Sequence, residues 1–262
     1  MGESRNQFQF RSAIRSETGP LRKENQDSTL EADLGVSGHV LAVADGVGGH
    51  ADGKRASAET LRLLESGLRA NRALWPNRSG RAEEVRDLDV LIRQINRIVC
   101  GLGERSRDKK RMASTLTCAW LKNGYMLIGQ VGDSRLYRFR DSQLIRLTVD
   151  QTEAGELFAR GDISEEEERK FPKRNVIKQA IGGTDPEKFE PVITCENFQS
   201  GDRYLICSDG LTEGLKDKDI AAIMDPERES DLKKVVDTLV EYSLRNSGKD
   251  NTTAVVFEIQ QG

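Results

Sequence analysis

The stretch His39 to Ser57, H-V-L-A-V-A-D-G-V-G-G-H-A-D-G-K-R-A-S, carries an unbroken apolar run from Val40 to Ala44 into a carboxylate at Asp45. Glycines follow at Gly46, Gly48, Gly49 and Gly53 before a helical pattern begins. A short apolar run bounded by glycine reads as a strand covered on both faces. Repeated glycines let the backbone take positive φ or approach another group closely. The stretch therefore predicts a buried strand that presents an acid at its end. Alone, Asp45-Gly46 reads as well as a turn.

Three later stretches place acids the same way: G-D-S-R at Gly132 to Arg135, C-S-D-G-L at Cys207 to Leu211, and G-K-D-N-T-T at Gly248 to Thr253. Each adjoins a run that reads as a strand. Asp45, Asp133, Asp209 and Asp250 are thus expected at strand ends, where a fold can bring them together. Hard divalent cations such as Mg2+ and Mn2+ take oxygen ligands, so the four acids suggest a metal site. Taken singly, G-D-S-R is also a hairpin turn, because Asp and Ser both favour turns.

F-Q-F-R-S-A-I at Phe8 to Ile14 reads as a strand feeding the Gly19-Pro20 turn, with Arg22 just beyond it. Ala56, Leu61, Leu64 and Leu68 recur at helical spacing, and Trp75-Pro76 ends that helix. Leu88, Leu91, Ile92, Ile95, Val99 and Leu102 mark a second helix, with Asn77 to Arg81 as the loop between the two. After the charged break Ser106 to Arg111 come short strands: Ser114 to Trp120, Tyr125 to Val131, Arg135 to Arg140 and Gln143 to Leu147. Asn123-Gly124 is the strongest hairpin signal among them. Ser164 with Glu167 forms a capping box that starts a short helix near Glu165. By charge pattern that acidic run reads as a solvated helix face. Asp202 to Cys207 and Thr253 to Ile259 read as strands, and Leu232, Val235, Val236 and Leu239 as an amphipathic helix. Strands in blocks with a few inserted helices favour an α+β fold over alternating α/β.

Lys+Arg 40 against Asp+Glu 43 leaves a net charge of -3, which argues against a nucleic-acid surface. No apolar run approaches the ~18 residues of a membrane helix, and the first ten residues lack the apolar stretch of a secretory signal. Cys100, Cys118, Cys195 and Cys207 include no C-x-x-C pair, so they are expected as reduced thiols in a cytoplasmic protein.

The order and spelling of these motifs resemble the metal-dependent serine/threonine protein phosphatases of type 2C, especially their compact bacterial members. That family's motifs read R-x-x-N-E-D, D-G-x-G-G-H, G-D-S-R, S-D-G and D-N. Here they correspond to Arg22 to Asp27, Asp45 to His50, Gly132 to Arg135, Ser208 to Gly210 and Asp250-Asn251, within a resemblance running from about Arg11 to Ile259. Any one motif is weak evidence; the ordered set is not.

The resemblance implies a four-layer αββα sandwich, two antiparallel sheets face to face with helices outside each, formed by 1–262 as one catalytic domain. The segment about 150–183 would be a mobile flap beside the site, with Lys173 and Arg174 nearest the substrate. Two Mn2+ or Mg2+ ions are implied, with Asp45 bridging them, the Gly46 carbonyl on one, and Asp209 and Asp250 on the other. Asp133 with Asp209 would hold a third, weaker ion. Arg22 matches the arginine that grips phosphate, a task suited to a planar bidentate donor; by residue type alone it could equally be a loop arginine in a surface ion pair. His50 matches the histidine of G-G-H, as a catalytic group or as a residue capping or packing in the loop. Gln26 stands where the motif carries Glu, before Asp27, and both are assigned to the water shell of the metals. Gln accepts a hydrogen bond but brings no charge.

The activity implied is removal of phosphate from Ser or Thr of cytoplasmic proteins, opposing a bacterial-type kinase, by a monomer without nucleic-acid or membrane partners. A phosphoprotein-binding pseudophosphatase and a hydrolase of small phosphoesters are the two alternatives.

Overall fold

A computed structural model describes residues 8–47, 51–74, 80–105, 112–122 and 124–261. Strands β1 (Phe8–Glu17), β2 (Asp27–Asp33) and β3 (His39–Val47) precede helices α1 (Ala51–Leu74) and α2 (Arg81–Glu104). A run of strands follows: β4 (Ala113–Ser114), β5 (Leu116–Lys122), β6 (Tyr125–Val131), β7 (Arg135–Arg140) and β8 (Gln143–Arg146). Helices α3 (Glu153–Ala159) and α4 (Glu165–Lys170) lead to β9 (Val192–Asn197) and β10 (Arg203–Cys207). The chain closes with α5 (Asp209–Gly214), α6 (Asp217–Met224), α7 (Leu232–Asn246) and β11 (Thr252–Gln261).

Two sheets form, ordered β1-β11-β10-β7-β8 and β2-β3-β5-β6-β9, with β4 paired to β3, and every named pairing is antiparallel. The alternation of side chains explains the layering. In β3, Leu41 and Val43 point into a cluster shared with Leu136, Tyr204, Ile206, Val255 and Phe257 of the other sheet. Val40, Ala42 and Ala44 point the opposite way, into a cluster with Leu64 and Leu68 of α1 and Leu88, Ile92 and Ile95 of α2. On the far side, Leu205, Cys207, Ala254 and Val256 meet Leu211, Ile220, Val235, Val236 and Leu239 of α5, α6 and α7. Three cores between four layers make the αββα sandwich, and strands buried on both faces read as continuous apolar runs for this reason.

The sequence-predicted helices and the inner strands form close to their expected bounds, and the Ser164–Glu167 capping box is present. Lys122 pairs with Tyr125 between β5 and β6; Asn123, Trp75-Pro76 and Ser106 to Arg111 lie outside the described residues. Two expected positions are corrected. Asp45 is not the end of its strand, because β3 continues to Val47 by pairing Gly46 with Ser114. Asp209 does not end β10; it opens α5 after Ser208.

The flap segment also departs from a freely solvated helix. Glu168 is buried, its carboxylate 3.1 Å from Arg146 Nη2 and 3.5 Å from Arg135 Nη2. Arg169 donates to the carbonyls of Thr212 (2.6 Å), Glu213 (2.9 Å) and Leu215 (2.9 Å). Those carbonyls close the C-terminal end of α5, where unsatisfied acceptors and the helix dipole favour a cation. The acidic run thus docks one face on the body of the protein.

Candidate metal centre

Antiparallel pairing of β2 with β3 sets Asp27 directly across from Asp45. Like charges in this arrangement repel. Asp27 is fastened to the other sheet: its Oδ2 accepts from Ser208 Oγ at 2.8 Å and Thr253 Oγ1 at 2.6 Å. Its Oδ1 is buried with no hydrogen-bond partner among the described residues. Burial pushes the Asp27 carboxyl up to about 6, with Asp250 adding to it, against the two hydroxyls, which favour the ionised form.

Asp45 is joined to the Asp133 turn through Thr115. Thr115 Oγ1 accepts the Asp45 N–H at 2.9 Å and lies 2.8 Å from Ser134 Oγ, while Thr115 N–H donates to the Asp45 carbonyl at 2.8 Å. Gly132 makes the turn possible with φ +95; a Cβ there would stand 2.7 Å from Thr115 Cγ2. Arg135 then grips Asp150 in a bidentate pair, Nε to Oδ1 at 2.9 Å and Nη2 to Oδ2 at 2.7 Å.

Asp250 accepts from Arg22 Nη2 at 2.6 Å. The loop bearing Arg22 is held by Asn251, whose Oδ1 accepts the Gln26 N–H (2.9 Å) and whose Nδ2 donates to the carbonyls of Thr18 (2.8 Å) and Glu24 (3.0 Å). Gln26 is buried, and its carbonyl receives the Gly46 N–H at 3.1 Å. Its Oε1 lies 2.9 Å from where a Cβ on Gly53 would stand, and a Cβ on Gly46 would lie 2.3 Å from the Gly53 carbonyl. Gly46 and Gly53 of the opening motif therefore serve close approach of β3 to the first turn of α1.

The acids act on one another electrostatically. Burial, followed by the charges of Asp27, Asp209, Asp133 and Asp250, holds Asp45 well above the usual carboxylate range. Burial, followed by Asp133, Asp250, Glu213 and Asp27, does the same to Asp209. Asp133 is pushed up to about 7 by burial and Asp150, against Arg135. Among the described residues, no three His, Cys, Asp or Glu side chains already stand as a ligand cage. The donor set nevertheless fits a hard cation: all of it is oxygen, it concentrates negative charge that a cation would neutralise, and Asp209 Oδ1, like Asp27 Oδ1, is a buried acceptor without a partner among the described residues.

Of the other expected site residues, Arg174 is half-buried and lines a pocket with Asp133, Arg135, Asp209 and Thr212. Lys173 is exposed, at φ +59. His50 lies outside the described residues. Sequence reasoning gave no role to Thr115, Ser134, Ser208, Asn251 or Thr253. Four of them sit inside the quoted motifs, and their hydroxyl or amide side chains beside buried acids were the available signal.

Residues 22–251 match the family described as Protein phosphatase 2C. The serine/threonine protein phosphatase PstP of Mycobacterium tuberculosis is 33% identical over 251 residues, which is 95% of this chain but 45% of that protein. The chain thus spans about half the length of that relative. The serine/threonine phosphatase stp of Listeria monocytogenes is 29% identical over 246 residues, 94% of each chain. Among solved structures, the catalytic domain of PstP in complex with two manganese ions superposes with a TM-score of 0.78 at 31% identity, covering 97% of this chain and 100% of that one. A match to the family over residues 22–251, on a sandwich of two antiparallel sheets, means that this chain belongs to the protein phosphatase 2C family.

Proposed function

We propose that the chain hydrolyses phosphoserine and phosphothreonine in proteins at a binuclear Mn2+ or Mg2+ centre. The observation that carries this reading is the all-oxygen set of Asp45, Asp133, Asp209 and Asp250, in which burial and then the neighbouring carboxylates hold Asp45 and Asp209 well above the usual carboxylate range. The manganese-bound relative supports it. Asp45 would hold both ions, with the Gly46 carbonyl on one and Asp209 and Asp250 on the other, and Asp133 with Asp209 would hold a third, weaker one. Bound there, such ions lower the pKa of a water and neutralise phosphate charge.

The chain's own residues supply the rest. Arg22, exposed and carried on the Asn251-clamped loop beside Asp250, binds the phosphate through its planar fork. Arg174 lines a pocket with Asp133 and Asp209 from the flap, and Lys173 stands beside it in solvent. Asp27 offers an unpartnered acceptor to the water shell, and Gln26 stands beside it in sequence. His50 is retained as a catalytic candidate on its motif alone. We place the protein in the cytoplasm as a monomer of one catalytic domain, acting on phosphoproteins and opposing a bacterial-type Ser/Thr kinase. No helix among the described residues is long and apolar enough to cross a membrane.

The test is hydrolysis of an aryl phosphate and of phosphoserine and phosphothreonine peptides with Mn2+, Mg2+ or EDTA. Metal-dependent turnover of both substrate types, abolished by EDTA, is expected. Turnover of neither would leave a binding protein, and turnover only of small phosphoesters would move the substrate class.

A further inference from the structure

Glu213 has no place in the metal set, yet it makes the contact that aims the flap. It lies one turn beyond Asp209 on α5, and its side chain is only 12% exposed. Its Oε1 accepts from Arg174 Nη2 at 2.9 Å and Asn175 Nδ2 at 3.2 Å, and its Oε2 lies 3.5 Å from Ser247 Oγ of the segment after α7. The turn that presents Arg174 is built for this. Arg174 N–H donates to the Phe171 carbonyl at 3.2 Å, Pro172 stands second in the turn, and Lys173 takes the left-handed conformation at φ +59. A lysine there costs more than a glycine would, so something outside the turn holds it. Two arginines do so: Arg169 on the backbone carbonyls at the end of α5, and Arg174 on the Glu213 carboxylate.

We infer that Glu213 is a positioning residue that docks the flap turn and sets Arg174 over the pocket shared with Asp133 and Asp209, so that substrate phosphate meets a prealigned guanidinium. The inference rests on the phosphatase reading. Its physical content is that Arg174, a long and flexible side chain, loses less freedom on binding phosphate if its orientation is already fixed. An ion pair to a nearly buried carboxylate fixes it better than solvent does. Glu213 and Arg174 then act as one unit, and removing either member removes the benefit of both.

The experiment is a double-mutant cycle on KM for a phosphothreonine peptide with Mn2+ saturating: Arg174→Ala, Glu213→Ala, and the two together, with Glu213→Gln beside them. Each single alanine variant is expected to raise KM by about tenfold, the scale of one hydrogen bond to a charged group, and the double variant no further. Glu213→Gln keeps an acceptor for Arg174 and should stay within roughly threefold of wild type. Independent, additive KM effects would overturn the inference. So would Glu213→Gln as severe as Glu213→Ala, which would show that the charge beside Asp209 matters and the docking contact does not. Trypsin provides a readout that needs no turnover, because Lys173 and Arg174 are themselves cleavage sites. Glu213→Ala and Glu213→Gln, confirmed folded by circular dichroism, are compared with wild type in EDTA. Faster cutting at Lys173 in the alanine variant only is expected; equal rates in all three would overturn the inference. If Glu213→Ala does not fold, Arg174→Ala takes its place, with faster cutting at Lys173 again expected. Wild type inactive on every phosphoester, with the trypsin result as expected, would reject the phosphatase reading and leave the docking intact.

Discussion

The Arg22 guanidinium donates to Asp250 Oδ2 at 2.6 Å while its Nε donates to the Lys249 carbonyl at 3.3 Å. A residue matched to phosphate binding and a residue matched to metal binding are therefore partners before either ligand arrives. A cation held by Asp250, as proposed, would compete with Arg22 for that carboxylate. Arg22 is in this structure a loop ion pair, as its residue type allowed.

Arg22→Ala is expected to act with opposite signs on the two ligands. Losing the competitor should tighten Mn2+ binding, measured calorimetrically, by at most about fivefold, since an exposed pair is worth under ~1 kcal/mol. KM for a phosphopeptide should rise in the same variant, because a phosphate grip acts in the ground state. Weaker Mn2+ binding in Arg22→Ala would show that Arg22 supports the metal site and does not compete with it.

Asp45→Asn and Asp209→Asn should each abolish metal-dependent turnover and high-affinity Mn2+ binding. Both should also make the EDTA-treated protein more stable, because each removes one member of a crowded like-charge set. A gain of ~1 kcal/mol would raise Tm by roughly 2–4 °C in a chain of this size. A folded variant that retains a third of wild-type activity would reject the metal assignment at that residue.

Glu168→Ala tests whether the flap helix is part of the body. Its carboxylate is buried against Arg146 and Arg135, and breaking one partner of a buried pair costs about 3–5 kcal/mol. A fall in Tm of roughly 6 °C or more is expected on the same scale. An unchanged Tm would return the helix to a solvated flap that can be trimmed freely.

Gln26→Glu adds charge where the family motif carries a glutamate. Carboxylates in the outer shell of a metal are commonly worth about 10-fold to 100-fold in affinity, so Mn2+ should bind more tightly while turnover at saturating metal changes little. Without metal, the added carboxylate in a buried position should lower Tm. Calorimetric isotherms that superimpose on wild type would place this side chain outside the metal shell, as a packing group against Gly53.

Much of this was legible in the chain. Val40 to Ala44 reads as a strand covered on both faces, and the structure supplies a different apolar layer to each face. α1, α2 and α7 announce themselves by period, because a long amphipathic helix repeats its apolar stripe often enough to be recognised. β2 and β9 do not. They are edge strands, D-S-T-L-E-A-D and V-I-T-C-E-N, with one side in solvent and too little apolar alternation to register. The short helices α3, α5 and α6 offer no more than two turns of pattern.

The acids were legible as residue types at recurring places, since Asp beside Gly and Ser in the same small set of motifs is a local property of the chain. Their relations were not. That Asp27 faces Asp45 depends on the register of β2 against β3, and that Ser208 and Thr253 hold Asp27 depends on how one sheet lies on the other. Asn251 clamping a loop more than two hundred positions away, and Glu213 holding Arg174, depend on contacts that no spacing encodes. Which side chains carry charge, which strands are buried on both faces and where helices run can be read along the chain, because propensity and periodicity act between near neighbours. Which carboxylates share one field and which cations answer them waits on folding, because electrostatic energy depends on distance through space and on burial, and both are set by packing.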